Sequence, residues 1–406
     1  MTGRSRILMV MPYAHLVRKA VQAGFEVYAI WDPNLVGDNR SEVVARSAEV
    51  IWTDFKDEPG LRWCVTETAI RYGVEHVLHL GWEDTQIPVA EQAEALGLAP
   101  NPAASLRVVN DKAAMRRVLA ERGLSTVRTV ELGTPDGVAD ALAGFDLPVV
   151  VKPTRLAGSR GVRLVRDGAD LAAWADMLAA DGYHGPVLVE EFLRGNEFSV
   201  ETLSAGGTHH VVGITAKQVT PLPLFVETGH LHPAPLTAAD RRAITDLVTA
   251  LLDVAGYRFG PAHTEVILTP AGPKIVESQA RLGGDRIPLL VEVATGFDIE
   301  AGVFQALAGK PVEPAIASRV GCVAFFQLQP GRLESVDGLD EIEALPYVRE
   351  LKFPFRQGDL VPETVSSGTR HGHVVFAAAT AAEAQLRADQ LRGRLRAVTS
   401  PDGASR

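Results

Sequence analysis

Within the first hundred residues a helical pattern stops at a glycine, and gives way at once to an apolar stretch, three times: at Gly24, Gly73 and Gly97. Glycine tolerates the left-handed backbone that ends a helix, so each of the three marks a helix stop. Ile7–Met11 reads as a strand, Tyr13–Ala23 as a helix and Phe25–Trp31 as a second strand. Leu61–Tyr72 is then a helix, His76–Leu80 a strand, and a further helix runs through Glu94. Such alternation requires a parallel sheet covered by helices, a Rossmann-like α/β layout. The first strand-to-helix turn, MVMPYAH, contains no glycine. It lacks the dinucleotide fingerprint, and no NAD or FAD site is expected there.

The turn-rich run APNPAAS at residues 99–105 marks a boundary, which assigns residues 1–100 to this first domain. Helix Asp111–Arg122 follows, then strand Ser125–Glu131 and a helix opened by Thr134-Pro135-Asp136, a cap with proline in the first turn. Strands dominate from Leu147 to Val200 around one helix near Asp170–Ala180. A long amphipathic helix, Thr237–Ala255, leads into the strands Ala262–Leu268 and Lys274–Gln279, joined by TPAGP. After Gly309-Lys310-Pro311, residues 313–406 mix strands (Val320–Leu328, Val348–Phe353, His373–Ala378) with a closing helix, Ala381–Arg396, as a small α+β domain.

With 406 residues the chain can hold two or three domains. A net charge of −10 argues against a basic nucleic-acid face, so no nucleic-acid partner is expected. It also means that any anionic nucleotide must meet locally placed cations or arrive with Mg²⁺. Cys64 and Cys322 are too few and too far apart for a disulfide framework or a cysteine-rich zinc site. No apolar run is long enough to serve as a signal peptide or span a membrane, so a cytoplasmic protein without a membrane partner is expected.

Three segments carry candidate chemistry. In VVVKPTRLAGSRGVRLV (residues 149–165) an apolar strand delivers Lys152 to a loop with Gly158, Ser159 and Gly161, then a second strand begins. Backbone N–H groups of such a loop can close over phosphates, although an ordinary hairpin with a loose turn fits equally well. In LVEEFLRGNEFSVE (residues 188–201) a strand ends in Glu190 and Glu191, passes Leu193 and Gly195, and re-enters extended structure with Glu197. Such a strand can offer backbone groups to an adenine and a carboxylate to a ribose; it also fits a polar hairpin on a solvated sheet. In HTEVILTPAGPKIVESQARLGGDRIP (residues 263–288) two strands each carry one carboxylate, Glu265 and Glu277, among apolar neighbours. Carboxylates on adjacent strands can share hard cations. Arg281 with Gly283-Gly284 then supplies a guanidinium and exposed backbone suited to a carboxylate or a transferring phosphoryl group. A solvated ladder with an incidental arginine is the competing reading.

The order helix Lys112, strand Lys152, glycine loop, EEFLRGNE hinge, Glu hairpin, then Arg and Gly-Gly resembles the ATP-grasp superfamily over roughly residues 101–312. A lid subdomain would lie at about 124–190. The ARLGGDRIP run, with ETGHLHPAP at 227–235, looks most like bacterial L-amino-acid ligases, which are dipeptide synthases. The resemblance implies an ATP-dependent carboxylate-amine ligase that works through an acyl phosphate on amino acids or small carboxylic acids. It assigns Lys112, Lys152, Ser159 and Gly161 to the nucleotide phosphates and their mobile cover. Glu190, Glu191 and Leu193 would line the adenine pocket, and Glu197 would hold the ribose. Glu265, Glu277 and Gln279 would ligate Mg²⁺, with two ions and Mn²⁺ as a substitute. Gln279 stands where the family usually has asparagine. Arg281 and Lys152 would stabilise the transferring group, while Glu227, His230, Arg281, Gly283 and Gly284 would contact substrates. A homodimer is implied by the same analogy. Purine-pathway carboxylases or formyl-phosphate transferases of the same superfamily, and a non-catalytic ATP-binding regulatory module, are the alternatives.

Overall fold

The computed structural model describes residues 4–35, 40–81, 83–154, 156, 158, 160–220 and 225–401. Its first sheet has four parallel strands in the order Glu49–Trp52, Glu26–Trp31, Arg6–Val10 and His76–Leu78. Successive side chains of a strand point to opposite faces, so the two central strands feed two cores. Ile7, Met9, Val27 and Ala29 pack with Leu16 and Val17 on one face. Leu8, Val10, Tyr28 and Ile30 pack with Leu61 and Val65 on the other. The strand Glu49–Trp52 is an addition to the sequence reading, which placed no element there.

The proline-rich run at 99–105 holds more structure than a boundary needs. Pro102 is the cap of the helix Ala103–Asn110. Asn101 is stitched to a distant turn: its Oδ1 accepts from the Arg258 and Phe259 amides at 2.7 and 2.9 Å, and its Nδ2 donates to the Phe259 carbonyl at 2.7 Å. The helix expected from Thr134 shrinks to a 3-10 turn, Pro135–Gly137, and a single α turn, Val138–Ala141, because glycines at 133, 137 and 144 leave too short a run to propagate.

A second, antiparallel sheet has the order Thr129–Leu132, Val187–Glu191, Val149–Pro153 and Arg163–Val165. Helix Gly168–Ala180 covers one face through Trp174 and Leu178. Gly161 turns the loop back at φ 72°, and a Cβ there would lie 2.7 Å from the Pro153 ring. Glycine is required at that position by both backbone and space.

The largest sheet has eight strands: Gly272–Gln279, Gly260–Thr269, Asn196–Ala205, Thr208–Val219, Glu227–His232, Val320–Phe325, His373–Ala378 and Val348–Lys352. The chain beyond residue 312 therefore extends the sheet that carries the Glu hairpin. A small three-stranded sheet, Leu360–Val361, Gly331–Asp337 and Arg396–Ser400, completes that end. Among the described residues no helix is long and apolar enough to cross a membrane.

Candidate active site

Where the second sheet meets the large one, two cations surround one buried carboxylate. Lys152 Nζ lies 2.7 Å from Glu190 Oε2. Arg116 grips the same group from the helix Lys112–Glu121, Nε at 2.6 Å and Nη2 at 3.1 Å. Its guanidinium also reaches the carbonyls of Ile275 and Val276. Burial pushes the Glu190 carboxyl up, but the two cations override it and hold it at about 2. Burial pushes the Lys152 ammonium down, and Arg116 and Lys112 add to that push against the help of Glu190. The causes differ: burial is the largest for Lys152, with the neighbouring cations adding to it, whereas for Glu190 the cations Lys152 and Arg116 act against burial.

Across the hairpin the balance reverses. Glu265 and Glu277 are register partners on neighbouring strands, directly beside a bulge. Glu277 Oε2 is 2.9 Å from Lys112 Nζ, and its Oε1 accepts from Gln279 Nε2 at 2.7 Å. Gln279 Oε1 is buried with no hydrogen-bond partner. Glu265 Oε1 meets Lys217 Nζ at 2.8 Å, and the same ammonium reaches Glu197 at 2.5 Å and Glu227 at 3.5 Å. Burial lowers the Lys217 pKa, yet three carboxylates raise it well above the usual lysine range. One cation thus serves three acids.

Two facing carboxylates and an orphaned amide oxygen fit a hard divalent cation. Among the described residues no group of three His, Cys, Asp or Glu side chains converges into a self-sufficient metal site. A partial set of this kind is what Mg²⁺ uses when phosphates and water complete its shell.

The loop after the hairpin is tied to three separate parts of the molecule. Arg281 Nε donates to Glu83 Oε1, at the start of the helix Glu83–Ala95, at 2.7 Å. The Gly283 amide donates to Glu201 Oε2 at 3.1 Å, and the other oxygen of that fully buried carboxylate meets His263 Nδ1 at 2.6 Å. A Cβ at Gly283 would lie 2.7 Å from Glu201, so only glycine lets the two approach. Asp285 meets His230 Nε2 at 2.8 Å and Arg370 Nη1 at 2.7 Å. Arg281, Gly283, Gly284 and Asp285 line a cleft of about 990 Å³ together with Tyr13 and His15.

Most residues singled out in the sequence converge here, with qualifications. Glu190 and Glu191 alternate along their strand, so Glu190 faces the cluster while Glu191 is exposed and accepts from the Arg128 amide. The two side chains point to opposite faces of the sheet, so what the pair can offer together on one side is backbone. Leu193 is half-buried just beyond the strand. Glu227 also accepts from the Ser367 hydroxyl at 2.7 Å, so the Glu227–His230 strand answers to the carboxyl-terminal segment as well. Ser159 lies outside the described residues. Sequence reasoning missed Arg116, Lys217, Glu201 with His263, and Arg370. For Arg116 a signal existed: it sits four residues after Lys112, on the helix face that also buries Met115 and Leu119.

Comparison with known proteins finds two domain matches and several similar enzymes. Residues 145–288 match the ATP-grasp domain, and residues 324–400 match the L-amino acid ligase C-terminal domain 2. Dapdiamide A synthase of Enterobacter agglomerans is 26% identical over 272 residues, 63% of this chain and 63% of that one. Alanine–anticapsin ligase of Bacillus subtilis is 26% identical over 235 residues, 52% of this chain and 49% of that one. The chain thus spans half to under two thirds of the length of these relatives. The crystal structure of L-amino acid ligase from Bacillus licheniformis superposes with a TM-score of 0.81 at 25% identity, covering 98% of this chain and all of that one. ATP-grasp enzymes use ATP with divalent metal ions, which the two charge clusters suit. The chain carries an ATP-grasp domain followed by the L-amino acid ligase C-terminal domain 2, and along its whole length it is built like the solved L-amino acid ligase.

Proposed function

We propose that this protein joins the carboxylate of one amino acid, or of a related small acid, to the amine of another, converting ATP to ADP and phosphate. The observation that carries the proposal is the side-by-side placement of a cation-rich cluster and a carboxylate-rich one, with Lys112 between them and Arg281, which feels Glu277, lining a cleft beyond. The first cluster suits nucleotide phosphates, and Lys152, Lys112 and Arg116 would hold them. The second suits Mg²⁺, held by Glu265, Glu277 and the Gln279 amide oxygen; two ions, with Mn²⁺ as a substitute, belong to the proposal. When bound, the metal offsets phosphate charge and polarises the transferring group.

The chain's own residues would then act by positioning and charge. A substrate carboxylate oxygen attacks the γ-phosphorus in line, the bond to the β-phosphate oxygen breaks, and ADP leaves. Arg281 and the Gly283-Gly284 backbone would meet the negative charge that develops on the acyl phosphate. The amine nitrogen next attacks the acyl carbon and loses a proton, the C–N bond forms, and phosphate departs. Glu227 and His230 would orient the amino-acid substrates. The sheet of Lys152, with Gly161 turning its loop, would cover the nucleotide and keep water from the acyl phosphate. Glu197 would hold the ribose, and Leu193 with the backbone of Glu190 and Glu191 the adenine. A cytoplasmic setting, a homodimer and the division near residues 100 and 312 complete the reading, and light scattering decides the dimer.

The test is nucleotide product analysis with ATP, Mg²⁺ and pooled amino acids, each omitted in turn. Release of ADP and phosphate only with amino acids present supports the ligase. AMP and pyrophosphate would mean adenylation and overturn the mechanism.

A further inference from the structure

The carboxyl-terminal segment contributes one charged side chain that the chemistry above leaves without a part. Arg370 follows the short turn Ser367–Thr369, and only 11% of its side chain is exposed although it sits in irregular structure. Both terminal nitrogens of its guanidinium grip the Asp285 carboxylate. Its Nε donates to the Ser367 carbonyl at 2.9 Å, and the group lies 3.7 Å over the Phe325 ring. Nη1 also comes within 3.7 Å of Glu227 Oε2, the oxygen that accepts from the Ser367 hydroxyl. A planar fork matched to a carboxylate and stacked on an aromatic face uses properties that lysine lacks.

The residue that Arg370 holds has an uncommon backbone. Asp285 and Arg286 stand at φ 52° and 64°, two consecutive non-glycine residues in the left-handed region. Such a conformation persists only where its surroundings over-determine it. Asp285 meets that condition, with Arg370 on one side and His230 on the other. Burial pushes its carboxyl up, and these two partners nevertheless hold it far below the usual range. The strained pair ends the loop that carries Arg281 and Gly283, so whatever fixes Asp285 also fixes where those groups point.

We infer that Arg370 is a positioning residue: it locks the 281–286 loop in its working conformation and steadies Glu227 beside it, so that the carboxyl-terminal segment completes the active site without touching the nucleotide. The catalytic half of this inference rests on the ligase reading; the structural half does not.

The experiment compares the full-length chain with Arg370→Ala, Arg370→Lys and Asp285→Asn, the last keeping a residue type that tolerates the left-handed region. Hydrogen exchange is read first, because it needs no turnover. Peptides covering 281–289 should exchange at least about tenfold faster in all three variants, with the first sheet unchanged. Unchanged exchange in that loop would overturn the inference even if the wild-type chain proves to be no ligase. With amino-acid-dependent ADP release established, Arg370→Ala should lower kcat by about a hundredfold while the calorimetric Kd for MgADP moves less than about twofold. Methylguanidine in the millimolar range should restore part of the rate to Arg370→Ala and none to Asp285→Asn. A kcat within threefold of wild type, or a loss of kcat matched by loss of nucleotide affinity and indifferent to methylguanidine, would overturn it.

Discussion

The two buried charge clusters are built from the same residue types with opposite arithmetic. Around Glu190, two cations share one carboxylate. Around Lys217, one cation is shared by three carboxylates. Both lie in strand surroundings and neither is visible as a simple pair, so the presence of a buried lysine and glutamate tells little about the ligand. The ratio tells more. A cluster left with surplus positive charge is completed by an anion, and one with surplus negative charge by a cation. Lys112, bonded to Glu277 and felt by Lys152, stands where one regime passes into the other. The contrast shows how a chain with net charge −10 can still gather cations on one side of a site and acids on the other, the division that the proposed nucleotide and metal would need.

The severest way to break this picture is at the shared border. Glu277→Gln removes the acid that faces Glu265 and leaves Lys112 without its partner. It should lower turnover by about 10³-fold or more, with the circular dichroism spectrum kept but melting at a lower temperature because Lys112 is left unpaired. Near-full activity would sink the metal assignment. Lys217→Met strikes the acid-rich cluster instead, removing the cation that Glu197, Glu227 and Glu265 share and leaving only the more distant Arg370 and His263 beside the last two. Breaking a buried ion group in this way costs about 3–5 kcal/mol, to be read as denaturant stability in metal-free buffer. Mg²⁺ should recover more of that loss than it adds to the wild-type chain. If Mg²⁺ stabilises both chains equally, the three carboxylates are not a cation site.

Next in size is His230→Ala, which removes one of the two groups on Asp285 and vacates the strand beside Glu227. KM for the amino-acid substrates should rise about tenfold, as for loss of a charge-assisted hydrogen bond, while KM for ATP stays within a factor of about two. A selective loss of nucleotide binding would place His230 on the wrong side of the comparison.

Legibility in the sequence followed locality. The parallel first sheet was readable because helix-stopping glycines and apolar runs are signals within a few residues of each other. The opposition of Glu265 and Glu277 was readable because a short hairpin brings its own strands together. Lys217 was not, since GITAKQV looks like any alternating strand with a lysine turned to solvent, and its burial depends on acids from three other strands. Arg370 lies 85 residues from the carboxylate it grips, within an irregular run that carries no periodicity. Glu201 closes the LVEEFLRGNEFSVE run with nothing local to set it apart; that it props up Gly283 depends on a contact between residues 82 apart in sequence. Local pattern found the strands and the acids placed on them, and the partners that set each acid's charge state came from elsewhere.

The smallest expected effect tests the finest point of the comparison, the amide at Gln279. Its Nε2 donates to Glu277 and its Oε1 is buried without a partner, so turning the amide over about its last bond would present that oxygen to a cation held by Glu277. If that oxygen completes a metal shell, Gln279→Leu should raise the Mg²⁺ concentration for half-maximal turnover by about tenfold, and excess Mg²⁺ should restore the rate. Gln279→Asn keeps the oxygen but withdraws it by one methylene. It should fall between the two, because the neighbouring strand fixes how far the backbone can follow. Metal-free ADP binding should be the same in all three chains, since no phosphate-holding cation has been altered. An unchanged Mg²⁺ requirement in Gln279→Leu would mean that the oxygen faces an uncompensated void, and that the acid-rich cluster holds its cation with carboxylates alone.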